Sequence, residues 1–115
     1  MNQTELLKGT LATIILRLLE SRGKMYGYEI SQLVKEMSGD KILIKEGSLY
    51  PALHKLEADG LVLTEEVYIG KRVRKYYRLT PSGATATKIC VDELMLFLQT
   101  INHLITANPV AYGAS

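Results

Sequence analysis

The sequence predicts a mainly α-helical domain carrying a small antiparallel β-hairpin and a long C-terminal helix. Three observations predict it. Between Gly47 and Val62, leucine recurs at Leu49, Leu53 and Leu56, the spacing of one helical stripe, and Gly60 closes the segment. Two strand-like runs, Leu61 to Tyr68 and Val73 to Thr80, flank Ile69-Gly70-Lys71-Arg72, whose glycine suits the positive φ of a tight hairpin turn. Beyond Thr80-Pro81, apolar residues recur at helical spacing as far as Thr106.

The composition sets the bounds. A chain of 115 residues makes one domain by length, and its 47% apolar content is ordinary for a folded protein. No apolar run reaches the roughly 20 residues of a membrane span, and the N-terminus lacks a signal-peptide pattern, so a soluble cytoplasmic protein is expected. Cys90 is the single cysteine, which excludes an internal disulfide. With only His54 and His103 beside it, neither a metal site nor a nucleophile–base set can be assembled. Cys90 therefore reads as a small core hydrophobe. No enzyme and no cofactor is expected.

The net charge of +2 is small, but its distribution is uneven. Residues 1–70 carry eight Lys/Arg against ten Asp/Glu, whereas residues 71–78 carry Lys71, Arg72, Arg74, Lys75 and Arg78 with no acid. Positive potential is thus concentrated at and after the hairpin turn. Such a charged tip also guards a hairpin against edge-to-edge pairing, which alone would account for it.

In chain order, residues 5–20 read as a first helix. Leu7, Leu11, Ile14, Ile15 and Leu18 form its stripe, Gln3 or Thr4 lies at its cap, and Gly9 weakens its first turns. Ser21-Arg22-Gly23-Lys24 ends it. Tyr26 to Met37 is the second helix, with Ile30, Leu33, Val34 and Met37 facing the core. Ser38-Gly39-Asp40 turns the chain, and the β-branched Ile42-Leu43-Ile44 reads as a short strand able to pair with the hairpin. The third helix begins near Glu46. On the second hairpin strand Val73, Tyr77 and Leu79 share one face, and Arg74, Tyr76 and Arg78 share the other. Thr80 caps the last helix, with Pro81 at its first position. There Cys90, Leu94, Phe97, Ile101 and Leu104 make a seam, flanked by Val91, Met95, Leu98 and Ile105. One side of this helix covers the first helix, and the other side calls for a partner, a symmetric homodimer by default. The expected divisions are residues 1–80, the long helix 81–107 packed on helix 5–20, and a loose tail 108–115.

Helix, helix, short strand, helix, hairpin and long helix is the order of a winged helix-turn-helix with an added dimerisation helix, and such domains present the third helix to the DNA major groove. Lys71, Arg72, Arg74 and Lys75 are then expected on phosphates, giving affinity rather than sequence choice. Tyr26 or Tyr28 offers a further phosphate hydrogen bond, or caps the core instead. Tyr50, Pro51, His54 and Lys55 face away from the leucines and are candidates for reading bases, Lys55 at guanine or at phosphate. Ser48 either joins them or caps its helix. His103 reads as a surface or interface residue. A winged helix serving as a protein-interaction or RNA-binding module is the alternative. The arginine-rich wing with outward Tyr50 and His54 favours DNA.

The chain also resembles the PadR-like transcriptional regulators. The resemblance rests on Tyr26-Gly27-Tyr28-Glu29-Ile30, Gly47-Ser48-Leu49-Tyr50-Pro51-Ala52-Leu53, Leu56-Glu57, Asp59-Gly60-Leu61-Val62 and Tyr76-Tyr77-Arg78-Leu79-Thr80-Pro81-Ser82-Gly83. It spans roughly residues 5–105, and its length is that of the smaller subgroup with a single C-terminal helix. The resemblance implies a dimeric bacterial repressor of a (pseudo)palindromic operator, joined through its first and last helices. Leu7, Leu11, Cys90, Leu94, Phe97, Leu98, Ile101, Leu104 and Ile105 are the interface residues this implies. It also implies release by a small aromatic or other apolar effector. Multidrug-binding members stack their ligand on a tryptophan, which this chain lacks, and Phe97 offers the nearest stacking face.

Overall fold

A computed structural model describes residues 3–113 of the chain. Its elements are α1 (Gln3–Leu7), α2 (Leu11–Arg22), β1 (Lys24–Tyr26), α3 (Gly27–Met37), α4 (Glu46–Ala58), β2 (Val62–Ile69), β3 (Arg72–Leu79), α5 (Pro81–Thr106) and a 3-10 turn (Pro109–Ala111). The three strands form one antiparallel sheet in the order β1-β3-β2. This is the mainly helical, winged helix-turn-helix arrangement that the patterning predicts.

The first helix departs from expectation. Gly9 adopts φ +89°, outside the helical region, and divides residues 5–20 into α1 and α2. Gln3 and Thr4 fall within α1 rather than before it. Thr10 closes the break, its hydroxyl donating to the Leu7 carbonyl at 2.9 Å. α2 then runs to Gly23, whose positive φ ends it as the sequence indicates.

The third strand is not Ile42-Leu43-Ile44 but Lys24–Tyr26, which pairs with β3 through Met25 and Tyr77. Ser38 accounts for the difference: its Oγ accepts the Ile42 N–H at 3.0 Å, and Ile42 and Ile44 pack against the core from an irregular segment. On α3 the stripe holds for Ile30 and Val34, which are buried, while Met37 is 70% exposed at the end of the helix.

The core is where α2, α3, α4 and one face of the sheet meet. Ile15, Leu16 and Leu19 of α2, Ile30 of α3, the predicted Leu49 and Leu53 of α4, and Val62 of the sheet are almost completely enclosed. Each such side chain contributes on the order of 1.5–3 kcal/mol by leaving water, so the stripe of α4 fixes that helix firmly. Its exit is equally definite. Gly60, at φ +74°, donates its N–H to Glu57, and the Leu61 N–H reaches back to the Leu56 carbonyl at 2.9 Å. These two bonds make a Schellman closure.

The same exit fastens α5. Thr80 donates its N–H to the Leu61 carbonyl at 3.0 Å and its hydroxyl to the Gly60 carbonyl at 2.7 Å. The Thr80 hydroxyl also accepts the Gly83 N–H at 2.9 Å, the cap expected of it. A Cβ on Gly83 would stand 1.9 Å from the Leu61 carbonyl oxygen, so only glycine allows this approach. Further on, α5 packs along α2 and then leaves the domain, giving a molecule 69 Å long by 30 and 21 Å. Cys90 is half-buried at the edge of the core, and most of the distal apolar residues are exposed.

Two contacts fall in the tail. Asn108 Oδ1 accepts the Val110 N–H at 3.0 Å, and the Tyr112 hydroxyl lies 3.2 Å from His103 Nε2. Residues 114–115 lie outside the described residues.

Gly83→Ala should lower stability by about 1–3 kcal/mol, the usual cost of forcing atoms into a packed contact. Urea unfolding of the variant checks this, and an unchanged midpoint would contradict the close packing of α5 on the end of α4.

Candidate nucleic-acid interface

With Leu49, Leu53 and Leu56 turned inward, rotation of about 100° per residue places Pro51 near the centre of the outward face of α4. His54 and Lys55 stand on either shoulder, and all three are exposed. Tyr50 and Ser48 lie further round on opposite flanks and are half-buried. Pro51 is inside the helix and cannot donate to the Gly47 carbonyl, a loss that together with ring crowding costs about 3 kcal/mol in a helix interior. Here Gly47 is exposed, so water can reach the freed carbonyl.

The two flanks serve different surroundings. Tyr50 and His54 lie together with Tyr26, Tyr28, Arg74 and Lys75 around a cleft of about 380 Å³ between α4, the start of α3 and the wing. The structure thus assembles six of the sequence-predicted DNA residues. Ser48 and Lys55 instead line an apolar groove of about 890 Å³, shared with Leu7, Leu11 and Cys90. Lys55 is also paired with Asp59 at 3.3 Å, an exposed contact of small energetic weight. Ser48 does not cap the helix, since Lys45 occupies that position and Ser48 lies within the first turn.

Tyr50 is less outward than the sequence suggests. Its ring covers Gly27, where a Cβ would stand 2.5 Å from the phenol oxygen. The first residue of α3 is therefore a glycine for a packing reason. Beneath it Tyr77 is buried, and that burial, ahead of the neighbouring Tyr50 and Glu57, pushes its phenol above the usual tyrosine range. Glu57 also accepts a hydrogen bond from the Thr64 hydroxyl at 3.1 Å, joining α4 to β2.

Register sorts the wing into two faces. Lys75 lies between Val73 and Tyr77 on the face toward α4, not with Arg74. Val73 is half-exposed, so the apolar face predicted for β3 packs at Tyr77 and Leu79 and opens toward the tip. The hairpin turn itself is Gly70-Lys71, with Gly70 at φ +63° and Arg72 opposite Ile69. Lys71 and Arg72 are exposed there.

On the opposite face the rings and cations are interleaved. Tyr26 meets Tyr76 edge to face at 5.5 Å, the Arg74 guanidinium lies 4.1 Å from the Tyr26 ring centre, and Lys24 lies 5.2 Å from that of Tyr76. Lys24 also approaches Glu65 at 3.6 Å. The neighbouring Tyr76 side chain, above all, holds the Arg74 guanidinium over its ordinary pKa. Glu29 accepts the Tyr26 N–H at 3.2 Å, fastening that residue to the first turn of α3. Gly27, Glu29, Glu57 and Tyr76 were not singled out by sequence for these roles. The spacing from Tyr26 to Glu29 and the alternation of Arg74 with Tyr76 are the signals that identify two of them.

The distal end of α5 carries a separate surface. Phe97, Leu98, Leu104 and Ile105 are exposed, and Leu94 and Ile101 half-exposed, so the predicted seam lies open along the helix. Among the described residues, no helix is long and apolar enough to cross a membrane.

Comparison with known proteins places this architecture. The transcriptional regulator PadR-like family matches residues 15–89. An uncharacterized protein of Lysinibacillus sphaericus is 37% identical over 97 residues, covering 81% of this chain and 85% of its own. A transcriptional regulator of Mycobacterium tuberculosis is 44% identical over 54 residues, 47% of this chain, and the match spans about half (50%) of that relative. Among solved structures, a transcriptional regulator from Clostridium thermocellum superposes with a TM-score of 0.82 at 34% identity, covering 89% of this chain and 99% of that one. Bacillus subtilis PadR in complex with operator DNA gives 0.66 at 29% identity, covering 82% of this chain and 59% of that one. From its helices, its three-stranded sheet and these matches, the chain belongs to the PadR-like family of transcriptional regulators.

Proposed function

We propose that this protein is a dimeric repressor that binds a (pseudo)palindromic operator in the bacterial cytoplasm and is released by a small apolar effector. The cleft between α4 and the wing carries the reading. It sets His54 and Tyr50 of a firmly held helix beside Lys75 and Tyr28, with Lys71 and Arg72 exposed further along the same wing. Bacillus subtilis PadR, of similar fold, is known in complex with operator DNA, which supports the same partner here.

In this reading the exposed face of α4 enters the major groove. Pro51 and His54 approach base edges, and Lys55 donates to guanine or to a phosphate on release of Asp59. Lys71, Arg72 and Lys75 neutralise phosphates beside the groove, and Tyr28, exposed at the start of α3, donates to another. Ser48 is a peripheral member of this set.

The open seam supports dimerisation. Phe97, Leu98, Leu104 and Ile105 are costly to leave in water, and the groove lined by Leu7, Leu11 and Cys90 offers apolar surface of the same chain to a second copy. Leu94 and Ile101 lie on the same helix surface. An apolar effector fits the stretch of the groove beside α4, where the lining is aliphatic, so shape and burial rather than ring stacking select it.

Two measurements check the proposal. Lys71→Ala combined with Arg72→Ala should weaken binding to every duplex and lower the salt slope by about 1.8, from roughly 0.9 per phosphate contact. An unchanged slope would remove the wing from the interface. Phe97→Asp should convert a dimer to monomer or aggregate in sedimentation velocity. An intact dimer would show that this face does not hold the two copies together.

A further inference from the structure

We infer that Arg74 is a positioning residue for DNA binding: with its guanidinium over the Tyr26 ring, it latches the wing to the start of α3. This rests on the proposed DNA reading and separates Arg74 from the other wing cations, which act directly on phosphate.

Strand register gives the reason. β1 supports β3 only from Arg78 back to Tyr76, where Tyr26 is the last partner. Arg74 is the next residue on the same face toward the tip, and it has no β1 residue opposite it. Its side chain reaches back over the Tyr26 ring at 4.1 Å, extending the grip of the three-stranded region a step further along the hairpin. Only β2 accompanies β3 beyond this point, so Lys71 and Arg72 are carried on a two-stranded arm. Two-stranded ribbons twist and bend more readily than three-stranded sheets.

The far end of the latch is equally tied. The Glu29 carboxylate holds the Tyr26 N–H, and the following residue, Gly27, is the one covered by the Tyr50 ring of α4. Arg74, Tyr26, Gly27 and Tyr50 therefore form a continuous path from the arm to the helix that enters the groove. The path sets the distance between the two DNA-contacting elements. Arg74 is also half-buried where Lys71, Arg72 and Lys75 are exposed, so its charge is held against the protein while theirs are open to a phosphate.

The test uses the full chain and a duplex retained from sheared genomic DNA, with affinities measured across a salt series for Arg74→Gln, Tyr26→Leu, their double variant and Tyr26→Phe. Each of the first two should lose roughly fivefold to tenfold in affinity, and the double variant should be no worse than either, because both remove one interaction. Their salt slopes should stay close to that of the parent. Tyr26→Phe, which keeps the ring, should bind as the parent does. A slope lower by about 0.9 for Arg74→Gln, with multiplying losses in the double variant, would make Arg74 a phosphate ligand and overturn the inference. So would a Tyr26→Phe loss as large as that of Tyr26→Leu, which would assign the hydroxyl to DNA. Amide exchange of the free chain provides the second arm. Faster exchange of paired amides near the wing tip in Arg74→Gln, with core amides unchanged, is expected, and unchanged tip exchange counts against the latch. This arm also decides the matter if Tyr26→Leu fails to fold. A parent chain that retains no duplex refutes the DNA reading, while amide exchange still judges the latch.

Discussion

One backbone carbonyl, that of Leu61, is the point from which the working elements of the molecule diverge. It accepts the Thr80 N–H, closing the open end of the hairpin, and it lies against the bare Cα of Gly83 at the start of α5. The residue that carries it also completes the Schellman closure of α4 through its own N–H. The helix proposed to read DNA, the wing and the helix that carries the open seam thus share a single joint. Its members are tied by hydrogen bonds of ordinary length, and the approach at Gly83 tolerates no added atom.

The two faces of α4 divide the labour. Tyr50 and His54 belong to the basic cleft, and Ser48 and Lys55 border the apolar groove. The helix is thus the wall between the proposed DNA surface and the proposed effector and partner surface. An occupant of the groove has only the width of one helix between itself and the cleft. This arrangement allows coupling by direct displacement of α4, with no longer path required.

Much of this was legible in the sequence, for definite reasons. Leu49, Leu53 and Leu56 announce the buried face of α4, Gly60 its end, and Thr80-Pro81 the start of α5, because each is set by local stereochemistry. The third strand was hidden, since three residues next to a helix start carry too little pattern, and Tyr26 both ends β1 and caps α3. Ile42-Leu43-Ile44 has the composition of a strand, yet Ser38 engages its backbone, a tertiary effect that propensity does not record. The site was legible as a set and not as a geometry. Period-two alternation already separates Lys75 from Arg74, but the burial of Tyr50 against Gly27 depends on how α3 and α4 cross, which no single segment specifies.

In the proposed dimer built on α5, the joint holds two copies of α4 one DNA turn apart. Distance measurement by pulsed electron paramagnetic resonance tests it most directly. The probe is a spin label on His54→Cys in a chain whose native thiol is removed by Cys90→Ser. The free protein should give a narrow distribution centred within a few Å of about 34 Å, the separation of successive major grooves on one face of DNA. An absent dipolar signal, or a distribution centred far from that spacing or a multiple of it, would contradict the account.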